Sequence, residues 1–201
     1  MKKFFIFILL NLSIIKYSYA LIEVDITRGN LDPLPIAISP LHVDIKSEEN
    51  EKIKVKQLGS EISKIIETNF RATGLFNPLK KDAFVQKPDI AHLKPRFEDW
   101  RLIKAQALVT GKIFVKDGKL KVEFRLWDLA AAQEMTALAF TTTPSNWRRV
   151  AHIISDKIYE RLTGEEGYFD TRIIYVAESG PKNQRVKKLA IMDQDGANTK
   201  Y

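Results

Sequence analysis

Apolar and polar residues follow several different rhythms along this chain, and each rhythm predicts a different element. The first is continuous. Lys2-Lys3 precede Phe4-Phe5-Ile6-Phe7-Ile8-Leu9-Leu10, Asn11 interrupts, Leu12 to Ile15 resume, and Ser18-Tyr19-Ala20 follows. A positive flank, an apolar stretch and a small-x-small end stand in the order of a secretory signal peptide, residues 1–20. The run ends at Lys16, too short to cross roughly 30 Å of hydrocarbon as a helix. An uncleaved anchor is the rival reading. Cleavage after Ala20 starts the working protein at Leu21, outside the cytoplasm.

The second rhythm has a period of two. Ile22-Glu23-Val24-Asp25-Ile26 alternates apolar with charged residues, as a half-buried or edge strand does. After the turn formers Gly29-Asn30 and Asp32-Pro33, the apolar stretch Leu34 to Ser39 predicts a short strand. Pro35 lacks an N–H and belongs at its beginning or on an edge. Period two returns at Ala107–Val115 and Leu120–Leu129, joined by Asp117-Gly118, a strong hairpin signal. Leu120, Val122, Phe124 and Leu126 share one face, with Lys121, Glu123 and Arg125 on the other. That pattern predicts an antiparallel sheet with one wet side, and Gln133–Thr143 continues it as a third strand of the meander.

A helical period governs the rest. Val55, Leu58, Ile62, Ile65, Ile66 and Asn69 share one face before Gly74. Phe76 to Leu79 then reads as extended, and the Pro/Lys-rich stretch through Pro88 and Pro95 as loop. A short helix from Phe97 to about Lys104 carries Trp100 as its core anchor. Pro144 opens another helix, whose stripe is Trp147, Val150, Ala151, Ile154, Ile158 and Leu162, ended by Gly164. The fold class is therefore α+β: an N-terminal α/β domain, residues 21–164, with an antiparallel meander and two main helices.

Beyond a linker at 165–171 the texture changes. Arg172–Ala177 and Val186–Met192 read as short strands, with a tight turn at Asp193-Gln194-Asp195-Gly196. Residues 172–201 look like part of a first β-propeller blade. A partial blade cannot bury its faces without neighbours, and the chain stops where a third strand is due. Truncation is the reading this favours.

Composition narrows the function. The formal charge of +7 falls by three, to +4, once Lys2, Lys3 and Lys16 leave with the signal, a weak argument for nucleic acid. About 180 residues remain, enough for one domain and a fragment of another. The chain contains no cysteine, so an exported protein of this kind relies on an ordinary hydrophobic core. His42, His92 and His152 stand far apart without metal-ligand spacing. His152 lies off the apolar stripe beside Arg148, which predicts a solvent-facing side chain.

No serine sits in a G-x-S-x-G elbow, and Gly29 and Gly111 belong to no phosphate cradle. Asp193, Asp195 and Gly196 echo a calcium loop but lack its bidentate Glu, so a hairpin turn is the better account. Lys80-Lys81, Arg148-Arg149 and Lys187-Lys188 are separate doublets that read as solvated surface. Neither catalytic nor metal-binding residues are predicted, and no cofactor. What remains is the mature N-terminus. Its alternating strand can pair with its own sheet or add to another protein's edge.

The order of elements resembles the TolB family, periplasmic propeller proteins of the Tol-Pal system in Gram-negative bacteria. The resemblance is carried by Ile22 to Gly29, by Pro33-Leu34-Pro35-Ile36-Ala37-Ile38, and by Thr73-Gly74-Leu75-Phe76-Asn77-Pro78-Leu79. It continues through Ala107 to Lys112, Leu126-Trp127-Asp128, Asp156 to Gly164, and Phe169 to Val176. These pieces run in order through the whole chain.

The resemblance implies a non-enzymatic adaptor acting by protein–protein binding. It supports outer-membrane integrity and outer-membrane invagination during cell division. It also implies that the segment Leu21, Ile22, Glu23, Val24, Asp25, Ile26, Thr27, Arg28, Gly29, Asn30, Leu31 and Asp32 engages a TolA-like inner-membrane protein. In the family the propeller engages the lipoprotein Pal. Nearly all of that propeller lies outside this sequence, so Pal binding is not carried over. No nucleic acid and no membrane insertion after cleavage are implied.

Two other function classes compete with this reading. One is the N-terminal part of an exported propeller-containing serine peptidase, which needs a downstream hydrolase domain. The other is an envelope-binding module that uses the basic doublets on anionic surfaces and would be recognised by salt-sensitive binding.

Overall fold

The computed structural model describes residues 32–44 and 49–201, and within them a mixed α/β fold is built around one sheet. Strand β1 (Leu34–Ile38) lies between two parallel neighbours, β3 (Phe76–Pro78) and β4 (Ala107–Lys116). After a break at Ser39 to Leu41, β2 (His42–Val43) continues along the same flank of β4. Strands β5 (Lys119–Asp128) and β6 (Gln133–Thr142) complete an antiparallel meander, giving the order β3-β1-β4-β5-β6. Asp117 and Gly118 both take positive φ, 53° and 69°, the twist that a two-residue hairpin turn demands. Pro35 stands second in β1, at the strand's beginning as its missing donor requires, although the strand itself is central rather than an edge.

Two long helices cover one face of the sheet. Helix α1 (Glu49–Thr73) turns Val55, Ile62, Ile65, Ile66 and Phe70 inward, and α4 (Trp147–Thr163) contributes Val150, Ile154, Ile158 and Leu162. They meet Ile36, Ile38, Val109, Ile113, Val122, Phe124 and Leu126 from the strands. Helix α4 ends where expected, at Gly164, which takes φ 78° and donates its N–H to the Glu160 carbonyl at 2.9 Å.

The opposite face is only partly wet. A second cluster joins Ala37, Leu108, Trp127 and Leu129 to Trp100 of α3 (Phe97–Leu102) and Ala91 of α2 (Pro88–Ala91). Helix α2 lies in the stretch the Pro/Lys composition assigns to loop. Each buried indole N–H finds an acceptor: Trp100 Nε1 donates to Gln86 Oε1 at 3.0 Å, and Trp127 Nε1 to Thr110 Oγ1 at 2.9 Å. The sheet's charged side therefore stays open along Lys112, Lys121, Glu123 and Arg125 and across β6 at Ala137, Ala139 and Thr141.

The chain then leaves α4 through a tied segment. Phe169 is buried at 1% exposure, against Phe70, Tyr159 and Tyr168. The Asp156 carboxylate accepts the N–H groups of Phe169 (2.6 Å) and Asp170 (3.1 Å). Strands β7 (Arg172–Ser179) and β8 (Val186–Asp193) follow as a separate antiparallel hairpin. After the Asp193–Gly196 turn the chain comes back, and Lys200 bridges Ile191 with 2.9 Å bonds in both directions.

Candidate protein-binding site

Of the segment Leu21 to Asp32, Asp32 alone belongs to the described residues. The predicted strand Ile22–Ile26 and the stretch 1–20 lie outside them. Asp32 and Pro33 are exposed, and the next residue is already locked in place. The Leu34 N–H donates to the Leu75 carbonyl at 2.9 Å, and Leu34 pairs with Phe76. The segment therefore joins the fold at the start of an interior strand of its sheet.

A second site forms where the terminal hairpin meets the helices. Asn69 on α1 is 1% exposed, and its side-chain amide is fully engaged. Its Nδ2 donates to Ser155 Oγ at 2.9 Å and to His152 Nδ1 at 3.1 Å, while its Oδ1 accepts from Gln194 Nε2 at 3.2 Å. With Nδ1 accepting, the neutral imidazole carries its proton on Nε2. That atom is buried, has no hydrogen-bond partner, and lies 3.6 Å from Asp195 Oδ2. The same Asp195 oxygen pairs with Arg148 Nη2. One buried network thus joins α1, α4 and the turn after β8.

His152 corrects the expectation drawn from its position beside the apolar stripe. It is 2% exposed rather than solvent-facing, because α4 is covered on a second flank by the Asp193–Asn198 turn. Burial lowers its pKa below the ordinary 6.5; Asp195 opposes that effect and Arg148 adds to it. His42 and His92, which the spacing leaves unpartnered, stack face to face at 4.2 Å. Burial and then His92 lower the pKa of His42. Burial also raises the Asp156 carboxyl above its usual range, against the pull of its two backbone N–H donors.

His152, Asp193 and Asp195 bring three ligand atoms within 4.8 Å of one another. Each carboxylate already holds donors, however: Asp195 has Arg148, and Asp193 accepts from Asn198 Nδ2 at 2.5 Å. Their chemistry is that of an ion-pair junction. Asn69→Ala should cost roughly 2–3 kcal/mol in a denaturant titration, because it strands Ser155, His152 and Gln194 together. A loss under about 0.5 kcal/mol would show that water replaces the amide without penalty.

Residues 22–135 match the family defined by the TolB amino-terminal domain. The chain is 69% identical over 199 residues to the Tol-Pal system protein TolB of Pelagibacter ubique (strain HTCC1062). That alignment covers 98% of this chain and 44% of the relative. Among solved structures, TolB from Acinetobacter baumannii superposes with a TM-score of 0.67 at 25% identity, over 84% of this chain and 38% of the other. The chain thus spans less than half the length of both relatives. Among the described residues, no helix is long and apolar enough to cross a membrane.

Proposed function

The chain belongs to the TolB amino-terminal domain family, and from that membership we propose that it is a periplasmic, non-enzymatic adaptor of the Tol-Pal system. It contributes to outer-membrane integrity and to invagination of that membrane during division by binding other proteins. The observation that carries this reading is the 69% identity to a Tol-Pal TolB across nearly the whole chain. The peptidase alternative draws no support from these matches.

Residues 1–20 are the signal peptide in this proposal, 21–164 the amino-terminal domain, 165–171 the connection, and 172–201 the opening of a first propeller blade. The blade reading is supported by β7 and β8, whose paired Ile174–Ile191 and Val176–Leu189 leave Ile174, Val176 and Leu189 exposed. Such a ladder suits a sheet stacked between neighbours. Mass analysis of the exported protein should find Leu21 at its start; an intact Met1 on membrane-extracted protein would refute cleavage.

The partner-binding element is Leu21 to Asp32, acting as an added strand on a TolA-like protein. Pal is not assigned to this chain, which spans 44% of the TolB relative's length. Calorimetric titration of the chain with and without 21–32 tests the reading. Lost TolA binding with an unchanged circular dichroism spectrum is expected, and unchanged affinity would rule out the segment.

A further inference from the structure

We propose that His152 is a proton-controlled latch, holding the turn after β8 onto α1 and α4 while neutral and releasing it when protonated. Adding a proton at Nδ1 sets an N–H against the Asn69 amide N–H, at an atom that now accepts at 3.1 Å. One of the two bonds that orient the Asn69 amide, which in turn holds Gln194, is lost. The new charge would lie on a side chain only 2% exposed, where an ion needs a close counter-charge.

The one carboxylate within ion-pair reach, Asp195, is shared with Arg148, and burial outweighs its pull. Helix α4 presents Arg148, Arg149 and Asp156, β8 and its turn present Asp193 and Asp195, the connection presents Asp170, β7 presents Arg172 4.0 Å from Asp193, and α1 brings only the neutral Asn69. Asp195 is at 3.6 Å and already paired with Arg148; Asp193 holds Asn198; Asp170 holds Arg149 at 3.1 Å. The hairpin is the part that gives way. A two-stranded ribbon has little stability of its own, and these contacts are what fix its turn against the helices.

The direction follows from linkage. Burial holds His152 below its exposed value of 6.5 in the docked state, so the released state binds the proton more tightly. Docking is at full strength above about pH 6.5 and weakens as pH falls from there to the docked pKa. Below both values, each unit of separation multiplies the released-to-docked ratio by about ten. Asp156 works in the opposite sense. Its raised carboxyl pKa favours the folded arrangement on acidification, so it cannot mimic the effect.

The sequence contains no cysteine, so Lys64→Cys on α1 and Lys188→Cys on β8, both exposed positions, accept a spin-label pair without competition. Pulsed distance measurement should give one narrow distance at pH 7.5. A longer, broader population should grow roughly three- to tenfold by pH 5.5 and reverse on return to neutrality. His152→Asn keeps an acceptor where Nδ1 stands but cannot be protonated, so its distances should ignore pH.

An unsubstituted chain with one distance throughout, or a His152→Asn chain with the same pH response, would overturn the latch. If His152→Asn is open at both pH values, imidazole NMR titration of the unsubstituted chain decides. Titration of His152 below 6.5 supports the latch, and at or above 6.5 overturns it.

Discussion

Replacing Phe169 with alanine should lower the unfolding free energy by about 3–5 kcal/mol, the range for an aromatic ring deleted from a packed interior. The ring is 1% exposed, with centroids 4.7 Å from Tyr168, 5.8 Å from Tyr159 and 6.0 Å from Phe70. Those neighbours come from both long helices and from the connection itself, so no single rotation can refill the space. Phe169→Leu should recover more than half of the loss, because it restores most of the apolar contact. A chain ending at Gly164 should show a deficit of similar size, since it removes the ring together with the Asp156 contacts. Urea titration reads all three, and a Phe169→Ala chain within about 0.5 kcal/mol of the unsubstituted protein would show that the connection carries no core.

On the proposed function, replacing Val24 with proline should cost nearly all binding to a TolA-like protein while leaving the unfolding transition where it was. Proline removes one backbone donor and fixes φ in a segment whose affinity, in strand addition, comes from main-chain bonds. Alternation places Ile22, Val24 and Ile26 on one side and Glu23 and Asp25 on the other. Val24→Thr keeps the backbone and the branched shape, so it should weaken binding by tenfold or less, whereas proline should weaken it by about a hundredfold or more. The pair separates a strand from a general apolar patch: equal losses would point to side-chain contact alone. Cooperative urea unfolding at an unchanged midpoint confirms that neither change reaches the domain.

Local pattern made much of this fold legible. The inward face of α1 repeats every three or four residues and stops at Gly74, and Asp117-Gly118 set the register of the β4–β5 hairpin. What the pattern could not display were contacts between distant residues. Asn69 and His152 are 83 positions apart, and nothing near either one marks the other. A single apolar stripe on α4 says which flank meets the sheet, but not that a later turn covers a second flank. Trp127 sits among the charged positions of β5 and is buried in the cluster with Ala37, Leu108 and Leu129 that α3 helps to close, with Phe97 at 5.9 Å. The stacking of His42 on His92 depends on a two-residue strand, too short to announce itself. The segment proposed to bind reads as an alternating strand in the sequence, but all of it except Asp32 lies outside the described residues, and its partner comes from the family resemblance.

The place of β1 bears on how the molecule would carry a mechanical load. Leu34 lies two residues beyond Asp32, and β1 is flanked by parallel strands on both sides. A pull on the N-terminal segment runs along β1, so its hydrogen bonds to β3 and β4 are sheared together. An edge strand such as β6, bonded to β5 alone, would set only one flank of bonds against the same pull. Forced unfolding is a matter of rate rather than equilibrium stability, and shearing two bonded flanks at once raises the barrier. The segment is thus anchored as a towline would be, with tension entering the sheet at an interior strand held on both flanks.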